Sequence, residues 1–152
     1  IDGMSTGVIL AWATEAYKKG IIKDKDVDGV EFEWGNYSEY IKAIRKIVNK
    51  PNEFYEALSK GVYYVSRKYG GEEFPLSFGK NEMPGYHTGP AAYLGYMLGA
   101  RHSHLDSGGY SIDQKELIEN ELTPEEIVDK LIEEESWRQM PHRMKSRCSK
   151  GL

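Results

Sequence analysis

The sequence predicts a mainly α-helical protein with at most one or two short strands. Apolar residues recur at helical spacing over several long stretches, and those stretches begin and end on helix cap and stop residues. A single short run alternates apolar with acidic side chains, so strands are a minor component.

The segment after Ser5-Thr6-Gly7 places Ile9, Trp12, Ala13 and Ala16 on one helical face. It stops at Lys18-Lys19-Gly20, with cations in the last turn and glycine beyond. Ile22 to Asp28 reads as a charged connection, and Val30-Glu31-Phe32-Glu33-Trp34 as a half-exposed strand. From Tyr37 a stripe of Tyr37, Tyr40, Ile41, Ile44, Ile47 and Val48 predicts a helix that ends at Asn49-Lys50-Pro51. A third helix follows, with Asn52 as its cap. Phe54, Ala57, Leu58, Gly61, Val62 and Val65 form its buried face, narrow enough at Ala57 and Gly61 for another backbone to approach. Gly70 to Gly89 is an ordered loop or connector, and helix returns near Ala91 to Leu98. Thr123-Pro124-Glu125-Glu126 opens the last helix: threonine caps it, proline takes the first turn and Glu126 completes a capping box ahead of Ile127, Val128, Leu131 and Ile132. These elements form one helical region, residues 1–140, followed by an irregular tail, 141–152.

Charge is balanced, with 20 Lys and Arg against 24 Asp and Glu. No basic tract marks a nucleic-acid footprint. The longest apolar run, Val8 to Ala13, is too short to span a bilayer, so no membrane segment is expected. The single cysteine, Cys148, rules out an internal disulfide framework and points to a reducing, cytoplasmic setting. Ile1 in place of an initiator methionine suggests a region incomplete at its amino terminus.

Three of the four histidines lie in Met83 to Pro90 and Gly99 to Asp106. Imidazole can shuttle a proton near neutral pH or ligate a metal, arginine offers a planar fork to phosphate, and glycine lets backbone amides approach a bulky ligand. Together His87, Arg101, His102 and His104 read as a cradle for an anionic cofactor. The same residues admit plainer readings. The His102-x-His104 pair could be hydrogen-bonded loop structure or part of a zinc site, although no Cys-x-x-Cys or His-Glu-x-x-His spacing supplies further ligands.

Taken in order, several motifs resemble the aldehyde:ferredoxin oxidoreductase family. Ile1-Asp2-Gly3-Met4-Ser5-Thr6-Gly7 is similar to its Gly-(Leu/Ile)-Asp-x-(Ile/Met)-Ser-Thr-Gly element, and Ala11 to Gly20 to the helix that follows. Asp28-Gly29-Val30, Trp34-Gly35-Asn36, Gly61-Val62, Glu82-Met83-Pro84-Gly85-Tyr86 and the Arg101 to His104 element continue the likeness to about residue 140. The resemblance implies a helical region of an enzyme that oxidises aldehydes to carboxylic acids. It also implies a tungsten or molybdenum ion on two pterins (tungstopterin or molybdopterin), a 4Fe-4S cluster and ferredoxin or another iron-sulfur carrier as electron acceptor. By resemblance Asp2 contacts pterin, Arg101 contacts pterin or phosphate, His102 is a further cofactor-side residue, and His104 positions substrate or moves a proton.

The family's Cys-x-x-Cys-x-x-x-Cys element and amino-terminal pterin domain are not in this chain, and the resemblance puts them upstream of Ile1. Cys148 falls near the distance of the family's later cluster cysteine, among Lys145 and Arg147, which would lower its pKa. It is the candidate iron-sulfur ligand. The stretch Tyr37 to Asn49 has no histidine, so no subunit-bridging iron is expected, although a homodimer is compatible. The 152 residues alone are expected to be inactive and to retain no cofactor. The competing reading is a non-catalytic helical interaction module derived from the same fold.

Overall fold

The computed structural model describes residues 2–85, 88–99, 102 and 109–140. The chain divides into two compact units, Ile1–Gly85 and Tyr86–Leu152. Helices dominate both, as the periodicity predicts, and a hairpin of two short strands is the strand content of the described residues.

In the first unit, helix α1 spans Gly3–Lys18. It starts earlier than expected because Asp2 is its N-cap: the Ser5 backbone N–H donates to Asp2 Oδ1 at 2.7 Å, satisfying an amide that the first turn leaves unpaired. Leu10, Trp12, Ala13 and Ala16 are buried, and the Trp12 indole donates to the Gly71 carbonyl at 3.2 Å. The expected connection at Ile22 to Asp28 contains a short helix, α2 (Asp24–Val27), with Ile22 and Val27 buried.

The expected strand at Val30 to Trp34 does not form. Val30 and Phe32 are buried and Glu31 and Glu33 exposed, so the alternation reports a real inside and outside. The backbone, however, finds local partners: the Val30 N–H donates to the Val27 carbonyl at 3.2 Å and the Glu31 N–H to Glu39 Oε2 at 3.3 Å. An extended segment whose amides are spent locally is not a ladder strand.

Helix α3 runs Tyr37–Asn49, with the predicted ends. Its stripe is narrower than predicted. Ala43 and Ile47 are buried and Tyr40 and Ile44 pack partly against the core, while Tyr37, Ile41 and Val48 face outward. Tyr40 hydroxyl and Thr14 Oγ1 lie 3.0 Å apart. Thr14 also donates to the Leu10 carbonyl at 2.8 Å, so its one proton is committed and tyrosine donates across the helix pair.

The third predicted helix is two, α4 (Glu53–Leu58) and α5 (Val62–Tyr69). Asn52 caps α4 as expected, accepting from the Tyr55 N–H at 3.1 Å. The break is at Gly61, whose φ of +99° cannot continue a right-handed helix. Beyond α5, the Gly70 to Gly89 connector holds strands β1 (Ser77–Phe78) and β2 (Asn81–Glu82), paired antiparallel around Gly79 and Lys80. Both turn residues have positive φ, 56° and 69°, the signature of a type I′ hairpin turn.

In the second unit, α6 spans Pro90–Leu98. A helical stretch that the sequence reading does not identify follows: α7 (Gly109–Ser111), a π-helical turn (Ile112–Glu116) and α8 (Leu117–Glu119). Helix α9 (Pro124–Gln139) starts where predicted, and Ile127 and Leu131 join Ala91 and Ile112 in a small core. Ile132, expected on the same face, is exposed.

The capping box of α9 is complete. Thr123 Oγ1 accepts from the Glu126 N–H at 3.3 Å, and Glu126 Oε2 accepts from the Thr123 N–H at 2.8 Å. These bonds, the Thr123 backbone bond foremost, hold the Glu126 carboxyl below its ordinary value of 4.5. A carboxyl depressed in the folded state contributes stability above its unfolded pKa and loses it as pH falls through the folded one. Circular dichroism of wild type and Glu126→Gln between pH 6 and pH 2 should therefore show a helix loss on acidification that is shallower in the variant. Identical pH profiles would mean that the carboxylate does not act as the cap.

Candidate cofactor cleft

The first unit carries a cleft of about 490 Å³ where several chain ends converge. Asp2, Ser5, Thr6 and Ile9 of α1 form one wall, and Ile47, Val48 and Lys50 at the end of α3 form another. Leu58 to Gly61, the break between α4 and α5, and Lys80 with Glu82 of the hairpin complete it. A volume of this order is usual for small-molecule sites.

Two helix N-termini lie at this cleft, and each is occupied by a carboxylate of the chain itself. Asp2 caps α1, with Thr6 Oγ1 donating to the Asp2 carbonyl at 2.5 Å. Glu82 Oε1 accepts from the Val62 N–H at 2.9 Å, the first amide of α5. Gly61 makes that second bond possible, since a Cβ there would sit 2.7 Å from Glu82 Oε1. The small residue at 61 thus admits a carboxylate rather than a second backbone, which corrects the expectation for that position. Three lysines, Lys50, Lys60 and Lys80, also line the cleft. Lys60 is paired with Glu56 at 2.8 Å, and the hydrogen bond to Glu56 raises its pKa. The cleft therefore combines acceptors for an N–H-rich heterocycle with cations for an anionic group.

Asp2 is where the sequence reading puts a cofactor contact, at the head of the longest buried helix of its unit. Its capping role was not anticipated, although an acidic residue three positions before Ser5 is the usual signal for one. Of the other expected site residues, His102 is described in the second unit. It has φ 51°, its backbone N–H donates to the Gly99 carbonyl at 3.1 Å, and its Nδ1 lies 2.9 Å from the Tyr96 carbonyl. A carbonyl only accepts, so Nδ1–H is the donor, and the bond orients the ring at the end of α6. His87, Arg101, His104 and Cys148 lie outside the described residues. Among the described residues no group of three or more His, Cys, Asp or Glu side chains could hold a metal ion.

Sequence reasoning used Lys50 in a helix stop and Glu82 in a family motif, and assigned neither these two nor Lys80 a cofactor or catalytic role. Lys50 directly follows a helix end and Lys80 sits in a Gly79-Lys80-Asn81 turn, both local signals for left-handed backbone. Their convergence with Asp2 depends on contacts between segments far apart in sequence. No described helix is long and apolar enough to cross a membrane.

Comparison with known proteins identifies the family. Residues 1–147 match the family described as aldehyde ferredoxin oxidoreductase, domains 2 and 3. The tungsten-containing aldehyde ferredoxin oxidoreductase of Pyrococcus furiosus is 37% identical over 100 residues, 65% of this chain and 16% of that protein. Its Pyrococcus horikoshii counterpart is 32% identical over 117 residues, 75% of this chain and 18% of that protein. An aliphatic sulfonate oxidoreductase, WOR-like subunit, from Pyrococcus furiosus is 35% identical over 68 residues, 45% of this chain and 11% of that protein. The chain thus spans less than a fifth of the length of these relatives. No solved structure matches it at a significant level. The family match covers nearly the whole sequence, and the mainly helical fold is the one the resemblance implies: the chain belongs to the aldehyde ferredoxin oxidoreductase family, in the region of its domains 2 and 3.

Proposed function

We propose that the chain forms part of a tungsten- or molybdenum-pterin oxidoreductase that converts aldehydes to carboxylic acids, and that its cleft is one wall of the pterin site. The observation that supports this most is Asp2: the one expected cofactor residue in the first unit lies on a cleft of ligand size. The donor set fits a pterin. Carboxylates accept from its ring N–H groups, and lysines suit its anionic parts. When bound, the metal and its pterins supply the two-electron oxidation, water provides the oxygen, and the electrons leave for ferredoxin or another iron-sulfur carrier. The polypeptide binds and orients. In this reading Asp2 fixes the ring edge, and Arg101, His102 and His104 keep the roles that the family resemblance implies, His104 as the group that positions substrate or accepts a proton. The iron-sulfur cluster does not fit this chain alone, because such clusters take about four thiolates and the sequence has only Cys148. The reading includes a cytoplasmic setting and admits pairing of two copies.

The test uses the complete polypeptide to which this chain belongs, assayed for tungsten and molybdenum content and for aldehyde-dependent dye reduction. Asp2→Ser keeps a side-chain cap on α1, so a purely structural role predicts little change. A cofactor contact predicts that metal content per chain falls by about tenfold. Full metal loading and full turnover in that variant would remove Asp2 from the site.

A specific observation also favours the second reading, a helical interaction module. Trp34, Tyr37, Ile41 and Val48 are each 48% or more exposed, three of them along one side of α3. His104→Ala in the complete polypeptide separates the two, since an interaction module loses no oxidoreductase activity.

A further inference from the structure

We propose that Glu82 is the second ring-edge acceptor of the cleft, the residue that selects a heterocycle by the N–H donors on the edge it presents. This deepens the pterin reading above and rests on it.

The first observation is how Glu82 is held. It ends strand β2 and pairs with Ser77 across the hairpin, and the next residue, Met83, donates its N–H to the Leu76 carbonyl at 2.8 Å. From there Oε1 reaches over Gly61 to the Val62 N–H at 2.9 Å, 20 residues away in sequence. The residue is thus fixed twice, at its backbone by the hairpin and at its carboxylate by α5. An acceptor held by rigid elements loses little freedom when a ligand donates to it.

The second observation is what that bond leaves over. An ionised carboxylate has two acceptor oxygens and nothing to donate. Among the described residues, Glu82 Oε2 accepts no hydrogen bond and Glu82 forms no ion pair within 4.0 Å. Glu33, Glu39, Glu53 and Glu56 each have a lysine partner. Lys50, Lys60 and Lys80 line the same cleft as Glu82 without pairing to it, and Lys60 turns to Glu56 instead. Glu82 is half-buried. A carboxylate oxygen in that setting, met by no donor of the protein, is available to whatever fills the cleft.

The third step is selectivity. Pterin carries a 2-amino group beside a ring N–H, so that edge is all donor. Lumazine has an oxygen in place of the amino group, and the same corner becomes an acceptor. A carboxylate accepts from the first and repels the second. Glu82→Gln inverts this while keeping the cap on α5. The Val62 N–H can only donate, so it holds the amide oxygen, and the amide NH2 takes the place of Oε2. A donor then stands where the acceptor stood.

The test titrates the complete polypeptide, prepared free of cofactor, with pterin and with lumazine by fluorescence. Wild type should favour pterin by about tenfold, and Glu82→Gln should favour neither or should favour lumazine. A merely structural role lowers both affinities together and leaves their ratio as it was. That result, or a wild type that binds the two alike, overturns the assignment and leaves the pterin reading to Asp2. If both free heterocycles bind too weakly to titrate, the pterin released on denaturing the cofactor-loaded protein decides. A drop of about tenfold in Glu82→Gln at unchanged melting temperature supports the assignment. Any other outcome with pterin present in wild type overturns the assignment alone, and a wild type without pterin overturns the reading above together with it.

Discussion

Replacing Asp113 by alanine is expected to cost the second unit about 3 kcal/mol and to unfasten the start of α6. Asp113 is 5% exposed and lies in the π-helical turn, yet its carboxylate serves a different helix. Its Oδ1 accepts from the Ala91 N–H at 2.9 Å, and its Oδ2 from the Ala92 N–H at 2.8 Å and from Thr88 Oγ1 at 3.0 Å. Helix α6 has Gly89 at its N-cap and so no capping side chain of its own. The carboxylate from the other segment does that work, and the positive end of the helix favours its charge. Alanine would leave the amides buried and unpaired, in a unit whose core among the described residues is Ala91, Ile112, Ile127, Leu131 and their neighbours. Asp113→Asn keeps one acceptor oxygen and should cost about half as much. Gly89→Ala probes the same contact from the opposite side, because a Cβ would stand 2.8 Å from Asp113 Oδ1. Hydrogen exchange reads all three: protection of the Ala91 and Ala92 amides should fall while α1 keeps its own. Unchanged protection in Asp113→Ala would show that water caps α6 equally well.

In the first unit the largest effect is expected at Phe54. The side chain is 1% exposed and meets three other rings: Phe32 at 6.5 Å, Tyr55 at 5.3 Å and Tyr69 at 5.4 Å, all near edge-on. Phe54→Ala removes the apolar burial and leaves a cavity among side chains held by other elements, which together cost about 3–5 kcal/mol. Tyr55 cannot swing in to fill the gap without giving up the bond from its hydroxyl to the Val27 carbonyl at 2.7 Å. Burial also raises the Tyr55 pKa well above the usual tyrosine value, so the phenol stays protonated and keeps donating. Ile41→Ala is the control, since Ile41 is 48% exposed and its loss should stay within about 0.5 kcal/mol. Urea denaturation of the chain should order the variants Phe54→Ala far below Ile41→Ala and wild type. Equal midpoints would mean that the ring cluster is not the centre of the core.

The sequence alone was a good guide wherever the deciding interaction is local. Helix α9 begins at Thr123 because the cap, the proline and Glu126 lie within one turn of each other, and α3 ends at Asn49 because Pro51 cannot continue it. The family resemblance was legible for a similar reason, as its elements are short strings of neighbouring residues. The same locality misled at Val30 to Trp34, where alternation gives burial but cannot say whether a partner strand exists. It misled again on the outer face of α3, because a stripe of Tyr37, Ile41 and Val48 has the right period without saying how wide a band the core accepts.

What tertiary structure decided is which distant groups meet. Gly61 became a break between helices, with Glu82 from the hairpin accepting the first amide of α5, and Asp113 became the cap of a helix some twenty residues earlier. Lys50 and Lys80 came to line the cleft beside Asp2. Hydrogen bonds and charges act over a few ångströms of space rather than along the chain, so periodicity and capping rules do not contain them. The helices of this protein were written in its local sequence, and its cleft was made by the packing of those helices.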